Sequence, residues 1–186
     1  MKAATLKVLG RQHTPLLQTH LLALDANDRA NRFMGAVSDD HLARYALSIN
    51  FEKDLLVGVM RGKKLVGLAH AAVYMESGET MMEVGLSVLG GARRSGLGKR
   101  LLQAALEQAA HVHARRVFVM FRSTNAGMAA LATSVGGRIG GQGSEMFADF
   151  EIQHSNTRTK SIKTSPMAPP RPGAETAGPA RASGPL

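Results

Sequence analysis

Apolar residues in this chain change their spacing several times, and each change marks an element. Thr5 to Leu9 is a short apolar segment that suits a first strand. Pro15-Leu16-Leu17 opens a helical pattern running through Leu21, Leu22 and Leu24, with proline suited to a first helical turn. A second helix is predicted across Leu42, Tyr45, Ala46 and Ile49, with Ser38 as its N-cap and Asp39 and Asp40 just inside. Leu55 to Met60 and Leu65 to Tyr74 flank the turn Arg61-Gly62-Lys63-Lys64 and read as a β-hairpin. A second turn, Glu76-Ser77-Gly78-Glu79, leads into a strand from Met81 to Leu89.

Leu97, Leu101, Leu102, Ala105, Leu106 and Ala109 then recur at helical spacing, and this amphipathic helix ends near His113. Val117-Phe118-Val119-Met120-Phe121 is a compact buried strand. Asn125 starts a shorter helix through Met128, Leu131 and Val135, which Gly136-Gly137 stops. Ile139 and the run from Met146 to Ile152 supply closing strands. This order of strand, two helices, three hairpin-linked strands, helix, strand, helix and strands describes a mixed α/β (α+β) domain, one sheet with helices against its faces.

The chemistry is concentrated where the strand Glu83-Val84-Gly85-Leu86-Ser87-Val88 runs into Arg93-Arg94-Ser95-Gly96-Leu97-Gly98-Lys99 and the long helix. A turn that opens directly into a helix leaves several N–H groups unpaired at the positive end of the helix dipole. Gly96 and Gly98 let the main chain approach a ligand closely, and Arg93, Arg94 and Lys99 add positive charge. The ligand this suits is a phosphate or pyrophosphate.

Composition narrows the setting of that turn. At 186 residues, 44% hydrophobic and 20% charged, the chain fits one soluble domain with a sizeable core. It has no cysteine, which excludes disulfides, thiolate catalysis and cysteine-based metal sites and suits a cytoplasmic setting. No apolar run approaches the ~20 residues needed to span a bilayer, and Lys7, Arg11 and His13 make the N-terminus a poor signal peptide.

The net charge of +9 raises the question of nucleic acid. From Gln153 onward five basic residues oppose only Glu175, a net +4, so the body carries +5, much of it in the glycine turn. Aromatic residues make up 4% and tryptophan is absent, which argues against a base-stacking platform. An anionic cofactor is the more economical explanation. Every proline except Pro15 lies at or after Pro166, among Ala, Gly, Ser and Thr. The division expected is therefore a folded domain over residues 1–152 and a basic tail over residues 153–186, disordered because it cannot offset its ordering entropy.

Two phosphate-binding signatures fail on particular residues. A P-loop needs a Ser or Thr after Gly-Lys, whereas Arg100 follows Gly98-Lys99, and Arg93 stands where its leading glycine belongs. A dinucleotide fingerprint needs a third glycine where Leu101 stands, and Phe118 sits near where a ribose-binding acid belongs. The pattern Arg/Gln-x-x-Gly-x-Gly/Ala between strand and helix does fit Arg93, Gly96 and Gly98, and the next strand–helix unit carries Asn125. Here the chain resembles the GNAT superfamily of acyl-CoA N-acyltransferases. The likeness covers roughly residues 5–152 and is strongest from Met82 to Arg138. Leu21 to Asp39, with Arg29 and Arg32-Phe33, also resembles the N-terminal half of one bacterial branch.

The resemblance implies a mostly antiparallel sheet of six or seven strands, about four helices, and a fourth and fifth strand that splay apart. It implies acetyl-CoA as donor, with Leu86, Ser87 and Val88 along the pantetheine arm. Arg93, Arg94, Ser95, Gly96, Leu97, Gly98 and Lys99 would surround the pyrophosphate, and Asn125 would touch the pantetheine arm besides capping its helix. The reaction implied is direct acetyl transfer to an amine of a small molecule, peptide or protein. Glu83 is the candidate general base, against the alternative of a solvated or salt-bridged glutamate. Many relatives place a tyrosine where this chain has Ala132, which has no proton to give; Tyr74 is elsewhere in sequence, and Ser123, Thr133 or water are the alternatives. That gap leaves room for a second reading, a catalytically silent acyl-CoA-binding or sensing module. A homodimer is compatible with the resemblance.

Other features carry less. His111-x-His113 at a helix end is read as dipole-related, with no metal expected. Asp25, Asp28, Asp39 and Asp40 would favour a cationic amine, or simply serve helix starts.

Overall fold

Strand β3 (Lys64–Glu76) is buried at every position from Leu65 to Ala72, the mark of a central strand covered on both faces. In the computed structural model, which describes residues 3–152, it lies between β2 (Leu55–Arg61) and β4 (Glu79–Val88). Beyond β2 is β1 (Ala4–Val8), and beyond β4 follow β5 (Arg116–Arg122), β7 (Glu145–Phe150) and β6 (Arg138–Gln142) at the far edge. All neighbours in this seven-stranded sheet run antiparallel except β4 and β5.

Five α-helices cover the two faces. On one side lie α1 (Thr14–Leu22), α2 (Ala26–Phe33) and α3 (Asp39–Ser48), whose Leu17, Leu21, Phe33, Leu42 and Tyr45 pack against Leu56, Leu65 and Leu68. On the other lie α4 (Leu97–His111) and α5 (Ala126–Thr133), where Leu101, Leu102, Ala105 and Ala109 meet Val57, Val84 and Val117. Side-chain caps set several of the starts. Ser38 accepts a hydrogen bond from the His41 N–H at 3.2 Å, and Asn125 accepts one from the Met128 N–H at 3.0 Å.

The helix count differs from the sequence reading, which predicts two helices between the first strand and the hairpin and about four in all. The additional element is α2. Its sequence, Ala-Asn-Asp-Arg-Ala-Asn-Arg-Phe, is almost wholly polar, so apolar periodicity is silent there. What starts it is a cap: Asp25 accepts a hydrogen bond from the Asp28 N–H at 2.8 Å. The tail expected to be disordered lies outside the described residues. Among the described residues no helix is long and apolar enough to cross a membrane.

The parallel pair is the place where the sheet comes apart. Strands β4 and β5 share three rungs, Met81–Arg116, Met82–Val117 and Glu83–Phe118, and no more. Beyond them β4 stays paired with β3 as far as Val88, while β5 stays paired with β7 as far as Arg122. The sheet therefore opens into a wedge whose apex is at Glu83, as expected for a splayed fourth and fifth strand.

Helix α4 packs beneath β2, β3 and β4. Leu101 is wholly buried, and its side chain lies where a Cβ on Gly67 of β3 would stand 2.9 Å away. Leu101→Ala should lower stability by about 3 kcal/mol through lost transfer energy and a residual cavity, measured by urea unfolding. Leu47→Ala, at a site 65% exposed, should change it by less than ~0.5 kcal/mol.

Candidate active site

The wedge widens into a cleft of about 650 Å³. One wall is β4 at Leu86, Ser87 and Val88; the other is β5 at Val119, Met120 and Phe121. The start of α5 closes one side through Asn125, Gly127 and Met128, and α2 contributes Asp28, Asn31 and Arg32 on the other. Arg93, Arg94, Gly96, Leu97, Gly98 and Lys99 form the mouth. Ten of the residues singled out from sequence thus border one space. Ser95 and Glu83 do not: the Ser95 hydroxyl donates to the Ala92 carbonyl at 2.6 Å, bracing the loop, and Glu83 sits half-buried at the apex.

The loop has the conformation an anion requires. Gly96 is the N-cap of α4 with φ +74°, a left-handed conformation glycine adopts without strain, and Arg94 is also left-handed at +54°. The first helical hydrogen bond runs from the Arg100 N–H to the Gly96 carbonyl at 3.1 Å. The N–H groups of Leu97, Gly98 and Lys99 therefore have no intrahelical acceptor, and they point out of a helix of 15 residues. Arg94 and Lys99 are exposed around them.

Arg93 is placed differently. Its Nε donates to the Val88 carbonyl at 3.0 Å, and Nη2 forms an ion pair with Asp28 of α2. Its side chain ties the loop to β4 and α2, so in this arrangement its charge is shared with a carboxylate. Two other acids are similarly committed: Asp25 caps α2, and Asp39, in the first turn of α3, pairs with Arg29 at 2.5 Å. They act at helix starts, one of the two roles open to them in the sequence.

Behind Ser87 lies a buried histidine. A carbonyl can only accept, so the 3.0 Å contact between His20 Nδ1 and the Leu65 oxygen places a proton on Nδ1. Burial lowers the His20 pKa from 6.5 to about 4, outweighing that hydrogen bond, so the ring is neutral near pH 7 and its Nε2 accepts. The Ser87 hydroxyl, 2.8 Å away, therefore donates to His20. Its oxygen keeps acceptor capacity for a donor in the cleft.

A longer buried chain starts at Arg32. Its Nη2 donates to the Tyr45 hydroxyl at 3.0 Å, and Tyr45 lies 2.5 Å from His70 Nδ1. His70 Nε2 is 3.0 Å from Asp54. Because Asp54 only accepts, Nε2–H donates to it, and a neutral His70 accepts from Tyr45. Burial lowers the His70 pKa and raises that of Tyr45, which favours the neutral form of each. The chain thus has one direction, Arg32 to Tyr45 to His70 to Asp54. Arg32 Nε and Nη1 have no hydrogen-bond partner among the described residues, and leaving buried donors unpaired costs about 1–3 kcal/mol each.

None of Arg32, Tyr45, His70, Asp54 or His20 stands out in the sequence as a site residue. Arg32-Phe33 is visible only as part of a likeness, and the polar character of α2 hides the helix that carries it. Ala132 is wholly buried in the core rather than facing the cleft. Tyr74, half-buried on β3 opposite Met81, has its pKa pushed up to about 12 by burial and the charge of Glu83.

Comparison with known proteins shows the family and the fold. The acetyltransferase (GNAT) family model matches residues 19–136, and the chain belongs to that family. Among solved structures it is similar to the GNAT domain of S. lividans PAT, at 13% identity and a TM-score of 0.67 over 79% of this chain and 89% of that one. It is also similar to the ribosomal-protein-S5-alanine acetyltransferase of Vibrio fischeri, at 9% identity and 0.66 over 84% and 97%. The yncA structure from Salmonella typhimurium, solved with its cofactor acetyl-CoA, matches at 16% and 0.61 over 87% and 100%. At these identities the likeness is one of fold. Among curated proteins none matches the sequence.

The neutral His20 predicts a pH dependence of stability. Its folded pKa lies below the unfolded value, so its contribution is whole above pH 6.5 and is lost as pH falls towards about 4. The loss amounts to about 3 kcal/mol, and His70, also lowered, adds in the same direction. Urea unfolding across this range should show a shallower slope for His20→Gln than for wild type; equal slopes would contradict the assignment.

Proposed function

We propose that this protein transfers the acetyl group of acetyl-CoA directly to a primary amine, using the β4–β5 wedge for the donor. The observation that carries this is the opening of that wedge onto the N-terminus of α4, at a loop whose Gly96 is left-handed and whose leading N–H groups lack intrahelical acceptors. The pantetheine arm lies in the wedge and pairs with the backbone of Leu86 and Val88 like a missing strand. The pyrophosphate takes the N–H groups between Arg94 and Lys99. Asn125, across the cleft, meets the arm from the α5 side.

In that pose the thioester sits inward of Val88. The unprotonated amine attacks the thioester carbonyl carbon, the C–S bond breaks, and CoA leaves as a thiolate. Holding amine and thioester together supplies much of the rate. A backbone N–H near Val88 stabilises the oxyanion formed on the way. Glu83, at the apex, takes the amine's proton through water. Ala132 supplies no proton, and a thiolate whose parent thiol has a pKa near ~8.5 leaves without one. A cysteine-free chain suits the reducing cytoplasm, where we place the enzyme.

The double variant Gly96→Asp with Gly98→Asp should weaken acetyl-CoA binding by ~100-fold or more, read by calorimetry. It strains a left-handed position and sets two carboxylates against the pyrophosphate; losing two charge-assisted hydrogen bonds alone amounts to about that factor. Unchanged affinity would overturn the donor site. A thiol-release assay over a panel of amines separates an enzyme from a silent acyl-CoA-binding module: binding without turnover across the panel supports the module.

A further inference from the structure

We infer that the amine acceptor carries a carboxylate, and that Arg32 is the group that receives it; this rests on the acetyltransferase reading of the cleft. Arg32 lines the cleft from α2 while only 6% of its surface is exposed. Its guanidinium lies directly over Gly85 of β4, so close that a Cβ on that residue would collide with it. Gly85 is two positions beyond the last β4–β5 rung, which puts the charge at the inner end of the wedge.

The surroundings hold the guanidinium but do not satisfy it. The rings of Phe33 and Tyr45 lie 5.0 and 5.8 Å from its central carbon and favour a cation there. The Tyr45 hydroxyl accepts from Nη2, and the His70–Asp54 chain fixes that hydroxyl's orientation. Nε and Nη1 have no hydrogen-bond partner among the described residues. A planar guanidinium with two donors unpaired, bordering the cleft, is matched by the two oxygens of a carboxylate.

The cleft therefore has two cationic stations. The outer one, with Arg94, Lys99 and the α4 N-terminus, is the place for the donor's phosphates. The inner one lies beyond Val88, past the thioester, where the acceptor enters. Glu83 is on the same face of β4 as Gly85, two residues away. An amino acid, with its ammonium towards Glu83 and its carboxylate on Arg32, complements this order of charges. A carboxylate could also arrive on the acyl chain of a dicarboxylic acyl-CoA, and the test distinguishes the two sources.

Glycine, β-alanine, γ-aminobutyrate and δ-aminovalerate are each compared with their primary amides as acceptors, with rates expressed per unprotonated amine. For at least one chain length the wild type should prefer the acid over the amide in kcat/KM by ~10- to 100-fold, the range of a charge-assisted hydrogen bond. In Arg32→Gln that ratio should fall to about one, with Arg32→Lys between. Acid and amide used alike by wild type at every length would overturn the inference, whether or not the variants fold. An Arg32-dependent preference for succinyl-CoA over acetyl-CoA with neutral amines would also overturn it, by assigning the carboxylate to the donor. Calorimetry of the CoA-saturated protein with each N-acetyl amino acid and its amide reads the same ratio without turnover. If no amine is acetylated, the transferase reading fails, and the calorimetric preference alone decides for or against the carboxylate subsite.

Discussion

Three rungs of parallel pairing between β4 and β5 determine most of what this molecule can do. A sheet edge left open inside a protein exposes backbone donors and acceptors that must be satisfied. Here β4 and β5 each keep one partner, β3 and β7, and turn their other sides to the wedge from Val84 onward. That leaves two facing rows of main-chain groups with a ligand-sized gap between them. An extended ligand with amide groups fits such a gap as a strand fits an edge. The helix that follows β4 then begins at the mouth, so one stretch of chain supplies both the edge and the proposed anion site.

Neither half of that arrangement is held by the sheet alone. Arg93 reaches back to the Val88 carbonyl and across to Asp28, which ties the loop to α2. Helix α2 also carries Arg32, so the mouth and the inner end of the cleft are positioned by the same eight-residue element. It has little apolar surface of its own and depends on Phe33 in the core, on the Asp25 cap and on these polar ties. The buried run from Arg32 to Asp54 adds a second constraint. From Tyr45 to Asp54 each group has one consistent donor or acceptor role, which favours a single arrangement there, while Arg32 keeps two donors without a partner among the described residues.

Much of this is legible in the sequence. The apolar runs of β2 to β4 between their turns, the helical spacing of α4 and the Arg93-x-x-Gly96-x-Gly98 turn are local signals, and each lies where the structure places it. The residues proposed to hold the donor are legible for the same reason, because a loop between a strand and a helix is contiguous in the chain. Helix α2 is not legible by periodicity, since a helix of polar residues shows no apolar stripe. Arg32, Tyr45, His70 and Asp54 come from α2, α3, β3 and a loop, far apart in sequence. Nothing local marks them as one network, and only the packing of α1 to α3 on the sheet brings them together. Arg93 shows the reverse case: the pattern identifies its place in the loop, while its partner Asp28 is 65 residues away.

On this view the open strand edges and the leading turn of α4 receive one extended anionic ligand, acetyl-CoA. Residue-resolved amide hydrogen exchange with and without acetyl-CoA tests this most directly. Exchange should slow at Leu86 to Val88 and at Arg94 to Lys99 together, with the amides of β1 unchanged. Exchange at those two segments that is unaffected by saturating acetyl-CoA would contradict it.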